Sequence, residues 1–103
     1  MTATNNKLIS LYEAMLNLKT SQEIESFFKD LCTPAELKAF HERWAVAQLL
    51  DKGELSYRRI NEQTGTSTTT VSRVARFLTQ EKNSGYRLIL DKIKKNAPQE
   101  KSI

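Results

Sequence analysis

The sequence predicts an all-α protein of about six short helices, and three observations carry that prediction. Apolar residues recur at helical spacings along most of the chain rather than in strict alternation. The 103 residues include only 3 Gly and 2 Pro, too few for the tight turns of a hairpin-built sheet or barrel. Helix start and stop residues punctuate the apolar runs. A chain this short holds at most one domain, placed here at 6–95 between a disordered N-terminus, 1–5, and a disordered tail, 96–103. Hydrophobic residues at 39% and charged residues at 27% describe a chain that folds.

The first helix is expected from about Asn6 to Leu18, with Leu8, Leu11, Tyr12 and Met15 on one stripe and Ile9 and Leu16 widening it. Thr20 and Glu23 have the spacing of a capping box, in which each side chain satisfies the other's free backbone amide. The second helix follows, with Ile24, Phe27, Phe28 and Leu31 on one face. Thr33, Pro34 and Glu36 repeat the start signal more strongly, because proline suits the first helical position. The third helix runs to about Lys52 and stops at Gly53. Between Trp44 and Leu50 its apolar residues cover nearly the whole circumference, so both sides need cover. A second copy of the protein supplies it in one reading; in the other, the helix is wrapped by its own neighbours.

After Gly53 the pattern changes to LSYRRINEQ, a TGT hinge and STTTVSRVARFL. Gly65 stands where the chain turns sharply, since glycine enters left-handed conformations cheaply. Leu55, Ile60, Val71, Val74 and Leu78 supply contacts to hold two short helices at a steep angle. That is the arrangement of a helix-turn-helix, whose second helix enters the DNA major groove. On that helix Val71, Val74, Ala75 and Leu78 form the inner stripe, and Thr69, Ser72, Arg73 and Arg76 fall on the outer face. Hydroxyls of Thr68, Thr69, Thr70 and Ser72 can bond base edges or phosphates, and arginine can pair with guanine or hold a phosphate. A hairpin that merely packs between helices shares the pattern. Three successive threonines are poor helix starters, each less favourable than alanine by up to about 0.7 kcal/mol. They read as a recognition surface, partly frayed without DNA, or as ordinary residues near a cap. A last helix follows the Asn83-Ser84-Gly85 break, with Tyr86, Ile89, Leu90 and Ile93 on one side. Its Lys92, Lys94 and Lys95 suit the negative pole of the helix dipole.

The net charge of +4 is unevenly spread. Residues 1–51 hold five bases against seven acids, 52–81 five against three, and 82–103 six against two. With a pI near 9.3, this asymmetry points to a phosphate-rich partner, against the plainer reading of a solvated basic surface. Cys32 has no second cysteine to pair with, which suits a reducing compartment. No apolar run approaches the roughly 20 residues of a membrane span, and MTATNNK lacks a signal-peptide pattern. A cytoplasmic protein is expected. His41 is solitary, Cys32 reads as a small buried hydrophobe, and no residue pair has the spacing for acid-base work, so neither an enzyme nor a metal or cofactor site is expected.

The stretch from Leu31 to Leu78 resembles the core of the Trp repressor superfamily, and within it the YerC/YecD-type Trp repressor-like branch. The markers are Thr33-Pro34 opening a long helix, Arg43 within it, Gly53-Glu54 closing it, Ser56 and Arg58 opening the next, Gly65 at the turn, and Thr70 and Arg73 on the recognition helix. The resemblance implies a bacterial DNA-binding regulator, an intertwined homodimer with two reading heads one DNA turn apart. It implies that Arg58 contacts DNA and that Thr68, Thr69, Thr70 and Ser72 face the groove. Asn61 stands where the repressor carries a phosphate-contacting lysine. Thr33, Arg43, Thr70 and Arg73 match positions around the repressor's tryptophan, but Val74 replaces a glycine and Phe77 a serine. Both changes add bulk to the ligand's space.

The expectation is therefore a transcription regulator that binds an operator in double-stranded DNA as a homodimer through Arg58, Thr68, Thr69, Thr70, Ser72, Arg73 and Arg76. Tryptophan is not expected as its effector. The competing expectation is a dimeric helical adaptor that uses the same hairpin to bind protein.

Overall fold

The computed structural model describes residues 7–80 and 85–97. Within them lie α1 (Leu11–Met15), α2 (Ser21–Leu31), α3 (Pro34–Lys52), α4 (Tyr57–Thr64), α5 (Thr68–Thr79) and α6 (Gly85–Asn96), with no strand among the described residues. The all-α expectation therefore holds. The chain divides into two compact units, Met1–Leu37 and Lys38–Ile103. The expected disorder of 1–5, the Asn83-Ser84 part of the break and the tail beyond Ala97 lie outside the described residues.

In the first unit, α1 is shorter than the apolar spacing suggests. Ser10 caps it, its Oγ accepting from the Glu13 amide at 3.0 Å, so Leu8 and Ile9 precede the helix. At the other end Leu16, Asn17 and Leu18 donate their amides to carbonyls three residues back, and Asn17 Nδ2 adds bonds to the Glu13 and Ala14 carbonyls. These tighter bonds close the helix at Met15, although the apolar stripe continues to Leu18. Thr20 caps α2 as the spacing predicts, accepting from the Glu23 amide at 3.1 Å. The return bond differs from the capping-box expectation: Glu23 Oε1 accepts from the amide of Lys19, at 2.6 Å, instead of that of Thr20. Thr33 and Glu36 form the full reciprocal box at the start of α3, with bonds of 2.9 and 3.1 Å.

In the second unit, α3 ends at Gly53, whose φ of 71° is left-handed and whose amide closes on the carbonyls of Leu49 and Leu50. Val46 and Ala47 of α3, Ile60 of α4 and Val71 and Val74 of α5 form the buried core. Trp44, Leu49, Leu50, Leu55 and Tyr86 pack around it. Several apolar residues of the Trp44–Leu50 stretch thus find cover within their own chain. In α6, Leu90 is buried and Tyr86 packs on the core, while Ile89 and Ile93 remain exposed.

An ion cluster joins the two ends of this unit. Asp51, only 11% exposed, takes Arg87 Nη1 on Oδ1 and Lys94 Nζ on Oδ2, both at 2.9 Å. The hydrogen bond from Lys94 holds the Asp51 carboxyl below the usual aspartate range; burial opposes this, and the bond from Arg87 reinforces it. Lys94 therefore has a partner of its own on α3, besides its favourable place at the C-terminus of α6.

Candidate nucleic-acid interface

The site is built on α4 and α5. Ser56 caps α4, accepting from the Arg59 amide at 3.1 Å. The helix ends at Gly65, whose φ of 76° turns the chain sharply. Ile60 on one helix and Val71, Val74 and Leu78 on the other are all buried. These are the residues whose spacing predicts the hairpin, and the two helices pack directly on each other. The turn itself is fastened by side chains. Asn61 Nδ2 donates to the Thr66 carbonyl at 2.8 Å, and Thr64 Oγ1 donates to the Ile60 carbonyl at 2.8 Å. Thr64 Oγ1 also accepts from the Thr66 amide at 3.1 Å. Thr66 is buried, and its hydroxyl has no hydrogen-bond partner in this turn.

Ser67 caps α5, so the three threonines form its first turn. Ser67 Oγ accepts from the Thr70 amide at 3.1 Å and donates to Thr70 Oγ1 at 3.0 Å. Thr70 is half-buried and engaged by the cap, whereas Thr68, Thr69, Ser72, Arg73 and Arg76 are exposed. The division of α5 into an inner apolar stripe and an outer hydroxyl and arginine face is therefore present, with Thr70 at its border.

Arg58 lies in the first turn of α4 with its side chain 85% exposed. Its Nε is 3.5 Å from Glu62 Oε2, and Arg59 Nε is 3.6 Å from Glu62 Oε1. Arg73 and Arg76 are held differently. Their guanidinium carbons lie 5.0 and 5.3 Å from the centre of the Phe77 ring. Neither the shared carboxylate of Glu62 nor the shared ring of Phe77 is singled out in the sequence, although Arg58, Arg59 and Arg73 stand three or four residues from these partners, a spacing that puts them on one helix face; Arg76 adjoins Phe77 and has no such spacing signal.

The side chains matching the repressor's ligand positions have local partners here. Thr33 caps α3, Thr70 joins the cap of α5, Arg43 lies 5.3 Å from the Phe40 ring, and Arg73 lies over Phe77. Val74 is buried in the core.

Residues 6–94 match the family described as Trp repressor protein. The chain belongs to the Trp repressor family. It is 38% identical over 96 residues to YerC of Bacillus subtilis strain 168, covering 93% of this chain and 90% of that protein. A solved structure described as a TrpR-like protein from Eubacterium eligens superposes with a TM-score of 0.75 at 38% identity, covering 82% of this chain and 84% of that one. A second, from Staphylococcus aureus, gives 0.74 at the same identity and covers 82% of each chain. These similarities bear out the resemblance to the YerC-type branch and the six-helix Trp repressor-like fold. That fold is a regulator fold rather than an enzyme fold. No described helix is long and apolar enough to cross a membrane.

Proposed function

We propose that this protein is a cytoplasmic, sequence-specific transcription regulator that occupies an operator in double-stranded DNA as a homodimer. The observation that carries the reading is the outer face of α5: Thr68, Thr69, Ser72, Arg73 and Arg76 stand exposed on a helix whose opposite face is locked into the core. Hydroxyls suit phosphates and base edges, and an arginine fork suits guanine or phosphate. Arg58, in the first turn of α4, adds an exposed base at the start of the hairpin, and Thr70 bonds to the Ser67 cap in the first turn of α5. Membership of the Trp repressor family supports the same reading.

The homodimer is supported by apolar surface that a monomer has little reason to show. Leu8 is 95% exposed and Leu16 83%, and in α6 Leu88, Ile89 and Ile93 are exposed as well. In a C2 dimer whose reading heads lie one DNA turn apart, as the family resemblance implies, the operator has two half-sites about 10 base pairs between centres.

A genome-wide footprint of the bound protein tests the proposal. Discrete sites sharing a two-fold motif at that spacing support it; uniform low occupancy, together with recovery of one protein partner through the α4–α5 hairpin, favours the adaptor.

A further inference from the structure

We propose that Phe77 is a positioning residue for DNA recognition, presenting Arg73 and Arg76 to DNA already ordered and fully charged. This rests on the proposal that those two arginines bind DNA. The four arginines of the reading head are held in two different ways. Arg58 and Arg59 share the carboxylate of Glu62, an anion that offsets part of their charge. Arg73 and Arg76 share a ring instead, and among the described residues neither has a carboxylate partner.

The difference matters chemically. An aromatic face attracts a guanidinium through its quadrupole, yet it carries no net charge and takes none of the five N–H donors along the guanidinium edge. A stacked arginine therefore keeps its whole charge and its planar fork for DNA, while losing side-chain freedom before binding rather than during it. Phe77 is suited to this by position. It is half-buried at the border of α5, one residue before buried Leu78 and three after buried Val74, so its root is fixed while its ring meets the exposed side. Arg73 reaches the ring from four residues back and Arg76 from the adjoining position, so a single ring serves both bases.

The test compares Phe77→Leu, which keeps apolar bulk and removes the ring, with Phe77→Trp, which offers a stronger face. Both are measured against the best site from the footprint, in the wild-type background and with Arg73 and Arg76 both replaced by alanine, at salt low enough for all to bind. The expected result is about fivefold weaker binding for Phe77→Leu in the wild-type background, the order of the ordering cost that two pre-arranged side chains avoid on binding, and no further loss in the double-alanine background. Phe77→Trp restores wild-type affinity. Equal losses in both backgrounds, or none in the wild type, overturn the positioning role. If the double-alanine protein itself binds as tightly as wild type, the arginines are not DNA contacts and the underlying reading fails instead. Should Phe77→Leu not fold, proton NMR of the unaltered protein decides: side-chain protons of Arg73 and Arg76 shifted upfield by the ring, with and without DNA, support the stack, and random-coil positions refute it.

Discussion

Asn61 Nδ2 donates to the carbonyl of Thr66 at 2.8 Å, bracing the reading head across the left-handed turn at Gly65. The Gly65 amide also closes on the Asn61 carbonyl, at 2.8 Å, so one residue secures the turn through backbone and side chain alike. Asn61 thus has a structural task at the position where the resemblance implies a phosphate-contacting lysine.

Two substitutions separate the contributions to this turn. Asn61→Ala removes one largely sheltered hydrogen bond and is expected to cost about 1 kcal/mol. Gly65→Ala is expected to cost about 1–2 kcal/mol through backbone strain alone, because a Cβ there meets nothing within 4 Å while φ is +76°. Urea unfolding of each variant checks both values, and an unchanged midpoint for Gly65→Ala contradicts the strain argument.

Asp51 gives the fold a pH dependence with a definite sign. Its folded-state pKa is depressed, chiefly by the Lys94 hydrogen bond, so its contribution is complete above the ordinary aspartate value of about 3.9 and is lost as pH falls through the lower folded value. Asp51→Asn is expected to lower stability by about 1 kcal/mol at neutral pH, a modest figure because the side chains of Lys94 and Arg87 are still 60% and 39% exposed. The gap from wild type closes under acid. Unfolding midpoints between pH 2 and 7 measure it, and a gap independent of pH would falsify the assignment.

How far the sequence speaks for itself depends on range. The caps at Thr20 and Thr33, the stop at Gly53, the turn at Gly65 and the inner stripe of α5 all follow from residues within one or two helical turns of each other. The length of α1 does not, because Leu8, Ile9 and Leu16 continue a helical spacing whose backbone is ended by Ser10 and Asn17. Asp51 with Arg87 and Lys94 lies further out of reach, since 36 or more residues separate the partners. Phe77 illustrates a third case: the spacing to Arg73 is visible, but the ring's turn toward two arginines depends on how α5 beds into the core.

Glu62 is expected to restrain DNA binding. Its carboxylate lies near Arg58 and Arg59 in the free protein, competing with phosphate for both. Glu62→Gln keeps the shape and removes the charge, and should tighten binding by about two- to fivefold, with the larger gain at low salt. Fluorescence anisotropy at two salt concentrations reads the effect; weaker binding by the variant contradicts it.

L-tryptophan is not expected to act as corepressor. A ligand shifts DNA affinity only by binding one conformation better than another. Here Thr70 is bonded within the α5 cap, Arg73 lies over the Phe77 ring, and Val74 is buried in the core. Calorimetry with millimolar tryptophan should show no saturable heat, and DNA titrations no gain. Saturable binding with a tenfold rise in DNA affinity, about 1.4 kcal/mol of coupling, contradicts this account.

Replacing Arg58, Arg73 and Arg76 together with alanine, and titrating the best genomic site across a salt series, decides whether the α4–α5 hairpin reads DNA through its arginines. Each phosphate contact removed should flatten the salt slope by about one, and each base-reading arginine lost should cost about 1–3 kcal/mol and relax sequence preference. A folded dimer with weak, nearly sequence-blind binding is the expected result. A folded triple variant that holds its site as tightly and as selectively as wild type at moderate salt contradicts it.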